Sequence, residues 1–257
     1  MRFTVLALAL WLGLAQNVPS PSAITVSAAV SLTDALTAIG GDYASAGRGT
    51  VRFNFGASNV LARQIASGAP VDVFISADQA QMDTVARAGM VLDGTRVDLL
   101  FNQLAIVVPS DRSRTFKSIR DITDPSLKRI AIGDPAAVPA GVYAKQYLEK
   151  ENLWAAVEAR IVPTGSVRAA LAAVESGGAD AAIVYRTDAR TALRATVAWV
   201  VPTAAGPRIV YPAAIIQGSR SAAEARRFLD YLRGPDAART FDRLGFTVLH
   251  HSGPVPR

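Results

Sequence analysis

The chain has 257 residues, half of them hydrophobic, so it can bury a substantial core and is not intrinsically disordered. It contains no cysteine, which excludes disulfide bonds, cysteine nucleophiles, cysteine-based zinc sites and a lipidated N-terminal cysteine. Its 27 basic residues against 21 acidic ones give a net charge of +6, but they are scattered, so a solvated basic surface is favoured over nucleic-acid binding.

The N-terminus has the pattern of a secretory signal. Arg2 precedes an apolar run at residues 3–14, and the small residues Gly13 and Ala15 are spaced for cleavage. The run is too short to span a bilayer comfortably, and an uncleaved anchor is the alternative. We therefore assign residues 1–23 to a signal peptide and leader, and we expect the mature protein to be exported and soluble.

Beyond the leader, strand-like and helical segments alternate. In chain order, strands are predicted at residues 24–29, 51–55, 71–75, 104–108, 129–132, 161–162, 181–184, 197–201 and 209–216. Helices are predicted at residues 31–46, 58–67, 78–88, 140–151, 167–176, 222–232 and 235–244. This alternation predicts an α/β fold with largely parallel sheets. Pro109 and Pro212 interrupt the strand pattern, which is compatible with one continuous sheet or with two lobes joined by crossing strands.

Four predicted helices begin directly after a strand in a way that suits a bound anion. Ser31 is predicted as an N-cap, Ser58 opens the next helix, a Pro-Ala-Gly turn at residues 139–141 begins the third, and Ser166 caps the fourth. Such ends present unpaired N–H groups at the carboxyl edge of a sheet, where ligands bind. Ordinary capping is the alternative, because a capping serine contributes about 1 kcal/mol and usually binds nothing.

The two histidines, His250 and His251, are adjacent near the C-terminus. A Ser-His-Asp triad or a multi-histidine metal site would have to be built from this end of the chain. We assign residues 251–257 to a C-terminal tail. We therefore predict no catalytic residue, no directly coordinated metal cation, no cofactor and no enzymatic activity.

Longer stretches around the helix starts resemble the signatures of the periplasmic molybdate-binding proteins of ABC importers. The first lobe's stretches would be AAVSLTDAL (28–36), FGASNVLARQI (55–65), APVDVFISAD (69–78), FLDYLRGPDAA (228–238) and GFTV (245–248). The second lobe's would be GDPAAVPAGVYAK (133–145), VRAALAAVESG (167–177) and AIVYRTD (182–188). The resemblance extends from residue 24 to about residue 249.

The resemblance implies the two-lobed periplasmic binding protein fold of type II. This is an α/β fold with mixed, mostly parallel sheets, two crossover strands and a ligand cleft between the lobes. The first lobe would be discontinuous, with residues 24–103 and 212–250, and the second lobe would consist of residues 104–211.

The resemblance also implies which groups hold the oxyanion. Ser31 and Ser58 would each offer a hydroxyl and a backbone N–H. Ala140 and Val167 would offer backbone N–H groups, and Tyr185 its phenolic O–H. The implied ligand is molybdate, with tungstate as a second one. The implied partner is the membrane permease of an ABC importer, the compartment is the periplasm, and a monomer is the default state.

The chemistry of the ion agrees with a site made only of donors. Molybdate and tungstate are deprotonated tetrahedral dianions that only accept hydrogen bonds. Phosphate keeps a proton near neutral pH and needs an acceptor, and the nearby Asp134 is interpreted as a turn residue. Sulfate also only accepts, so a receptor for sulfate or another tetrahedral oxyanion stays as the alternative.

Two other classes of function are disfavoured. An enzyme on the same scaffold would need histidines, cysteines or paired acids that the matching stretches lack. A sensor domain is disfavoured by an export signal without a later membrane span. Arg63 and Arg168 are interpreted as surface or inter-lobe residues, with side chains that point away from the helix ends.

Overall fold

The computed structural model describes residues 23–249 of the chain. Residues 1–22 of the predicted signal peptide and leader, His250, His251 and the remaining tail lie outside these residues. Within them, no helix combines the length and the apolarity needed to cross a bilayer.

The strands and helices follow the predicted alternation. The strands are β1 Ile24–Ala29, β2 Val51–Gly56, β3 Val73–Ile75, β4 Val97–Asn102, β5 Leu104–Pro109, β6 Ile130–Gly133, β7 Ile161–Thr164, β8 Ala181–Tyr185, β9 Ala195–Val200, β10 Ile209–Ile215 and β11 Thr247–Val248. The helices are α1 Thr33–Ser45, α2 Ser58–Ala66, α3 Gln79–Arg87, α4 Pro139–Lys150, α5 Trp154–Val157, α6 Val167–Glu175, α7 Arg186–Ala189, α8 Ala222–Leu232 and α9 Pro235–Arg243. Short 3-10 helices lie at Val30–Leu32, Ser110–Arg112, Ile119–Thr123 and Glu158–Arg160.

The strands form two sheets, one for each lobe. The first sheet has the order β11-β4-β10-β3-β1-β2 and the second has the order β7-β6-β8-β5-β9. Across residues 23–249, β1 pairs in parallel with β2 and β3, and β6 pairs in parallel with β7 and β8, whereas the other five pairings are antiparallel. Both sheets are mixed, as predicted, but antiparallel pairings outnumber parallel ones, because strands that arrive from the other lobe enter each sheet in the opposite direction.

The chain crosses between the lobes twice, and the two crossings touch. The first crossing is the single residue Gln103, between β4 and β5, and the second is the segment 201–208, between β9 and β10. The Gln103 Nε2 donates to the carbonyl oxygen of Val201 at 3.2 Å and to Thr203 Oγ1 at 2.8 Å. Because β10 starts at Ile209, it begins before the predicted lobe boundary at residue 212, and the exact division stays a prediction.

Proline and polar residues explain where the strand predictions were incomplete. The pairing of β10 with β4 shifts register between Tyr211 and Pro212, as expected for a proline that cannot donate to the ladder. The sequence analysis missed β4, because Asp98 and Asn102 interrupt its apolar run. It also missed α5, α7 and β11, which are too short to show a periodic pattern.

The core of each lobe lies against its sheet. Every residue of β5, β6, β8 and β10 is buried, which explains their continuous apolar sequences. On α2, Leu61, Ala62 and Ile65 recur at helical spacing and pack in one cluster with Met82 and Val85 of α3. This packing fixes the direction of α2 and therefore the position of its first turn.

Candidate functional site

A cavity lies between the lobes, at the carboxyl ends of strands from both sheets. Its walls are residues 29–31, 56–58 and 77 of the first lobe, and residues 138–140, 167 and 185 of the second. The empty space between these walls, including the open solvent at the mouth, is only about 220 Å³. The cavity therefore suits a small ligand that contacts both lobes at once.

The structure brings all five predicted site residues to this cavity. Ser31 lies in the 3-10 turn after β1, and Ser58 is the first residue of α2. Ala140 lies in the first turn of α4, Val167 is the first residue of α6, and Tyr185 is the last residue of β8. First-turn N–H groups have no partner within their own helix, so these positions supply donors to the cavity.

The two serines in the cavity are not helix caps, which corrects the sequence analysis for Ser31. Ala29 and Ala57 occupy the cap positions before their turns and make no side-chain capping bond. The Ser58 Oγ instead accepts from the backbone N–H of Ala77 at 3.0 Å. A serine hydroxyl that accepts in this way still has its proton to donate to a ligand. Capping alone therefore does not account for the serines.

Ser166 does cap its helix. Its hydroxyl oxygen accepts from the N–H of Ala169 at 3.2 Å, as predicted. Asp134 is a turn residue, because its Oδ1 accepts from the N–H of Ala136 at 2.9 Å and it does not line the cavity. Arg63 is exposed on α2 and also lies outside the cavity wall.

The start of α4 depends on a close approach of two backbone segments. Pro139 occupies the first turn, where a missing N–H costs nothing. A Cβ on Gly141 would lie 1.8 Å from the carbonyl oxygen of Gly133, at the end of β6. Only glycine allows α4 to lie this close to the sheet, so Gly141 fixes where Ala140 meets the cavity.

Replacing Gly141 with alanine is expected to lower the free energy of unfolding by about 1–3 kcal/mol, because backbone must move to admit the methyl group. Urea denaturation measures this loss. The matched control is Gly165→Ala, in the turn before α6, where a Cβ would meet nothing within 4 Å. Equal stability of the two variants would contradict the close contact.

The Tyr185 hydroxyl is buried in the cavity wall without a partner. The residue is 1% exposed, and among the described residues its oxygen has no hydrogen-bond partner. Burial is the main cause that raises the pKa of Tyr185 well above its usual value, so the group keeps its proton at neutral pH. An unpaired buried hydroxyl costs free energy, which a ligand that accepts its proton would recover.

A polar network behind Ser31 was missed by the sequence analysis. The Tyr211 hydroxyl lies 2.9 Å from Ser31 Oγ and 3.2 Å from Asn102 Nδ2, and the same amide donates to Thr187 Oγ1 at 2.9 Å. Both Tyr211 and Asn102 are buried. A polar residue that ends the apolar run of β4, just before the crossover, was the signal that could have found Asn102.

No charged side chain lines the cavity within residues 23–249. Next to the cavity residue Val167 in sequence, Arg168 of α6 donates to Asp34 of α1 and to Asp188 of the second lobe. Arg168 Nη1 also donates to Thr191 Oγ1 at 3.0 Å. Arg168 therefore links the lobes through Asp34 without touching the cavity.

The Asp188 carboxyl is fully buried, and one of its oxygens has no partner among the described residues. Burial raises the pKa of Asp188 to about 6, although the charge and hydrogen bond of Arg168 act in the opposite direction. The described part of the chain has no group of three or more histidine or acidic side chains that could hold a metal ion. The described residues that line the cavity are therefore uncharged, and their polar groups are the hydroxyls of Ser31, Ser58 and Tyr185 and the backbone groups at the helix ends.

Comparison with known proteins agrees with this geometry. The model of a family described as bacterial extracellular solute-binding protein matches residues 24–247. The chain is 40% identical to the molybdate-binding protein ModA of Escherichia coli, over 88% of this chain and 89% of that protein. It is 35% identical to ModA of Haemophilus influenzae, over 92% and 94% of the two chains.

A solved structure is similar over nearly the whole chain. The periplasmic molybdate-binding protein of Azotobacter vinelandii superposes with a TM-score of 0.77 at 25% identity, covering 91% of this chain and all of that one. The two-lobed α/β binding-protein fold predicted from the sequence is therefore confirmed.

Proposed function

This chain belongs to the family of bacterial extracellular solute-binding proteins, and on that premise we propose that it captures molybdate, and also tungstate, for an ABC importer. The ion would be held in the cavity between the lobes and then delivered to the membrane permease. The protein would act as a periplasmic monomer after removal of its signal peptide, with residues 24–103 and 212–250 as one lobe and 104–211 as the other.

The observation that carries the proposal is the buried hydroxyl of Tyr185, which has no partner among the described residues, in a cavity that no charged side chain lines. A dianion that carries no proton can satisfy this hydroxyl by accepting from it. The same ion can accept from Ser31, Ser58 and the first-turn N–H groups of Ala140 and Val167. Helix ends supply the positive potential, so lysine and arginine are not needed.

The position of the donors on both lobes supports capture by closure. Ser31 and Ser58 belong to the first lobe, whereas Ala140, Val167 and Tyr185 belong to the second. An anion that accepts from both sets favours the arrangement in which the lobes meet. Gln103, which forms the first crossing, bonds to Val201 and Thr203 in the second crossing. The two crossings therefore lie side by side, and the lobes would rotate about them.

Equilibrium titration of the purified protein with molybdate, tungstate, sulfate and phosphate tests this function. We expect saturable binding of molybdate, and separately of tungstate, with one ion per protein molecule in each case. We expect no comparable binding of phosphate. Sulfate that binds as tightly as molybdate would favour the alternative receptor for another tetrahedral oxyanion. Binding of none of the four ions would reject the proposed function.

A variant that lacks the Ser58 hydroxyl tests one of the proposed donors to the ion. Ser58→Ala is expected to weaken molybdate binding by about 1.5–3 kcal/mol, or roughly ten- to hundredfold, because a hydrogen bond to a charged acceptor is lost. Ser27→Ala is the control, because Ser27 is equally buried in β1, accepts from Asn54 Nδ2 at 3.2 Å and lies outside the cavity. Identical titration curves for both variants would contradict the role of Ser58.

A further inference from the structure

We propose that Asn102 and Tyr211 fix the direction of the hydrogen bond at Ser31 and thereby exclude oxyanions that carry a proton. This inference rests on the proposed function and adds to it two residues that select the ion without touching it. They act as positioning residues, in a chain of hydrogen bonds that runs from Asn102 through Tyr211 to Ser31.

The orientation of the Asn102 side chain is set by the backbone of the crossover. Asn102 Oδ1 accepts from the N–H of Gln103 at 2.9 Å, and a backbone N–H can only donate. The other end of the amide, Nδ2, therefore faces Tyr211 at 3.2 Å and Thr187 at 2.9 Å. Asn102 thus presents a donor, and no acceptor, to the Tyr211 hydroxyl.

This donor determines where the Tyr211 proton goes. The Tyr211 oxygen accepts from Asn102, so its own proton is directed to Ser31 Oγ, 2.9 Å away. Ser31 Oγ then accepts from Tyr211, and its proton is available for the cavity. The neutral phenol persists, because burial raises the pKa of Tyr211 above its usual value.

The chain of hydrogen bonds cannot run in the reverse direction. An oxyanion that carries a proton would donate to Ser31, and the Ser31 proton would then pass to Tyr211. Tyr211 would need an acceptor for its own proton, but Asn102 offers only N–H at that position. In the described part of the chain, no carbonyl or carboxylate oxygen bonds to Ser31 Oγ as a substitute.

Ser58 follows the same rule by another route. Its hydroxyl oxygen accepts from the N–H of Ala77 at 3.0 Å, which also cannot become an acceptor. Both serines therefore meet the ion as donors. Only the Ser31 arrangement depends on side chains, so only this one can be reversed by substitution.

The test compares hydrogen phosphate, which carries a proton, with sulfate and molybdate, which carry none. It is done at pH 8, where all three ions have two negative charges. Molybdate binding is titrated directly, and sulfate and hydrogen phosphate are added as competitors. Wild-type protein is expected to bind molybdate and to prefer sulfate over hydrogen phosphate. Failure of the wild type to bind any of these ions would reject the proposed function, whatever the variants do.

Tyr211→Phe removes the donor to Ser31 and keeps the ring. We expect the dissociation constant for molybdate to rise about tenfold, since Ser31 is no longer oriented. The control is Tyr147→Phe, which alters a tyrosine that is 3% exposed in the second lobe and stacks on Trp199. Unchanged affinity of Tyr211→Phe would overturn the role of Tyr211.

Asn102→Asp replaces the donor by an acceptor and allows the hydrogen bonds between residue 102, Tyr211 and Ser31 to reverse their direction. A buried carboxylate weakens the binding of every dianion, so the measured quantity is the ratio of the sulfate and hydrogen phosphate inhibition constants. We expect this ratio to shift at least tenfold toward hydrogen phosphate. An unchanged ratio, with both ions weakened equally or not at all, would overturn the proposed selection.

Discussion

Molybdate at about a thousand times its dissociation constant is expected to stabilise the folded protein by about 4 kcal/mol. The stabilisation follows from mass action, because the cavity between the lobes exists only in the folded state. For a chain of this size it corresponds to a rise of about 8–16 °C in the melting temperature. A thermal scan monitored by circular dichroism or calorimetry measures the shift.

The same scan with other salts separates the proposed ligand from a general effect of ionic strength. Tungstate is expected to match molybdate, whereas phosphate and potassium chloride at equal ionic strength are expected to leave the melting temperature within about 2 °C, since weakly bound ions give little linkage. Ser58→Ala is expected to reduce the molybdate shift at a fixed concentration. A rise with phosphate as large as that with molybdate would contradict a site made only of donors.

The sequence predicted where the site lies because the site follows from the ends of regular elements. Alternating strands and helices indicated a sheet edge, and the helix starts at Ser31, Ser58, residues 139–141 and Ser166 indicated backbone groups that an anion can approach. Local pattern predicted no more than this, and the choice of Ala140, Val167 and Tyr185 as ligand residues came from the resemblance to the molybdate-binding family. The structure brings all five predicted site residues to one cavity, while their contacts with an ion stay predictions.

The roles of the serine hydroxyls could not be predicted in the same way. Serine before a helix is typical of a cap, yet Ser31 and Ser58 bond to Tyr211 and Ala77, which are distant in sequence from them. A hydrogen bond between residues 180 positions apart leaves no periodic signal in either segment. Tyr211 and Asn102 were missed for this reason, since their hydrogen bond forms only when β4 and β10 lie side by side.

The share of parallel strands was overestimated for a related reason. Alternation of strands and helices is typical of parallel crossover units, and β1, β2 and β3 follow this rule. The strands next to the crossings do not, because β5 and β10 enter sheets begun by other segments of the chain. Their direction depends on the path between lobes, which local sequence does not encode.

Replacing Arg168 with methionine is expected to lower the free energy of unfolding at pH 7.5 by about 3–5 kcal/mol, the usual cost of leaving a buried charge without its partner. The buried Asp188 carboxylate loses its counter-ion, and the link to Asp34 across the lobes is lost as well. Urea denaturation measures the loss. Arg114→Met is the control, because Arg114 pairs with Asp124 at 3.0 Å on the surface, where an ion pair contributes at most about 1 kcal/mol.

The pH dependence of this loss distinguishes a buried charge from lost packing. In the wild type, burial raises the pKa of Asp188 to about 6, above its ordinary value of 3.8. The stability that this group contributes is therefore fully present below pH 3.8 and is lost as the pH rises through about 6.

Without Arg168 the pKa of Asp188 rises further, so the variant continues to lose stability at a pH where the wild type no longer does. The difference between the two proteins should then be smaller at pH 5 than at pH 7.5, by up to about 2 kcal/mol. Arg168→Met combined with Asp188→Asn should remove the pH dependence of that difference, because position 188 can no longer ionise. A deficit that is the same at both pH values in the single variant would show that Arg168 acts through packing, and that Asp188 is not held as a charged group by its partner.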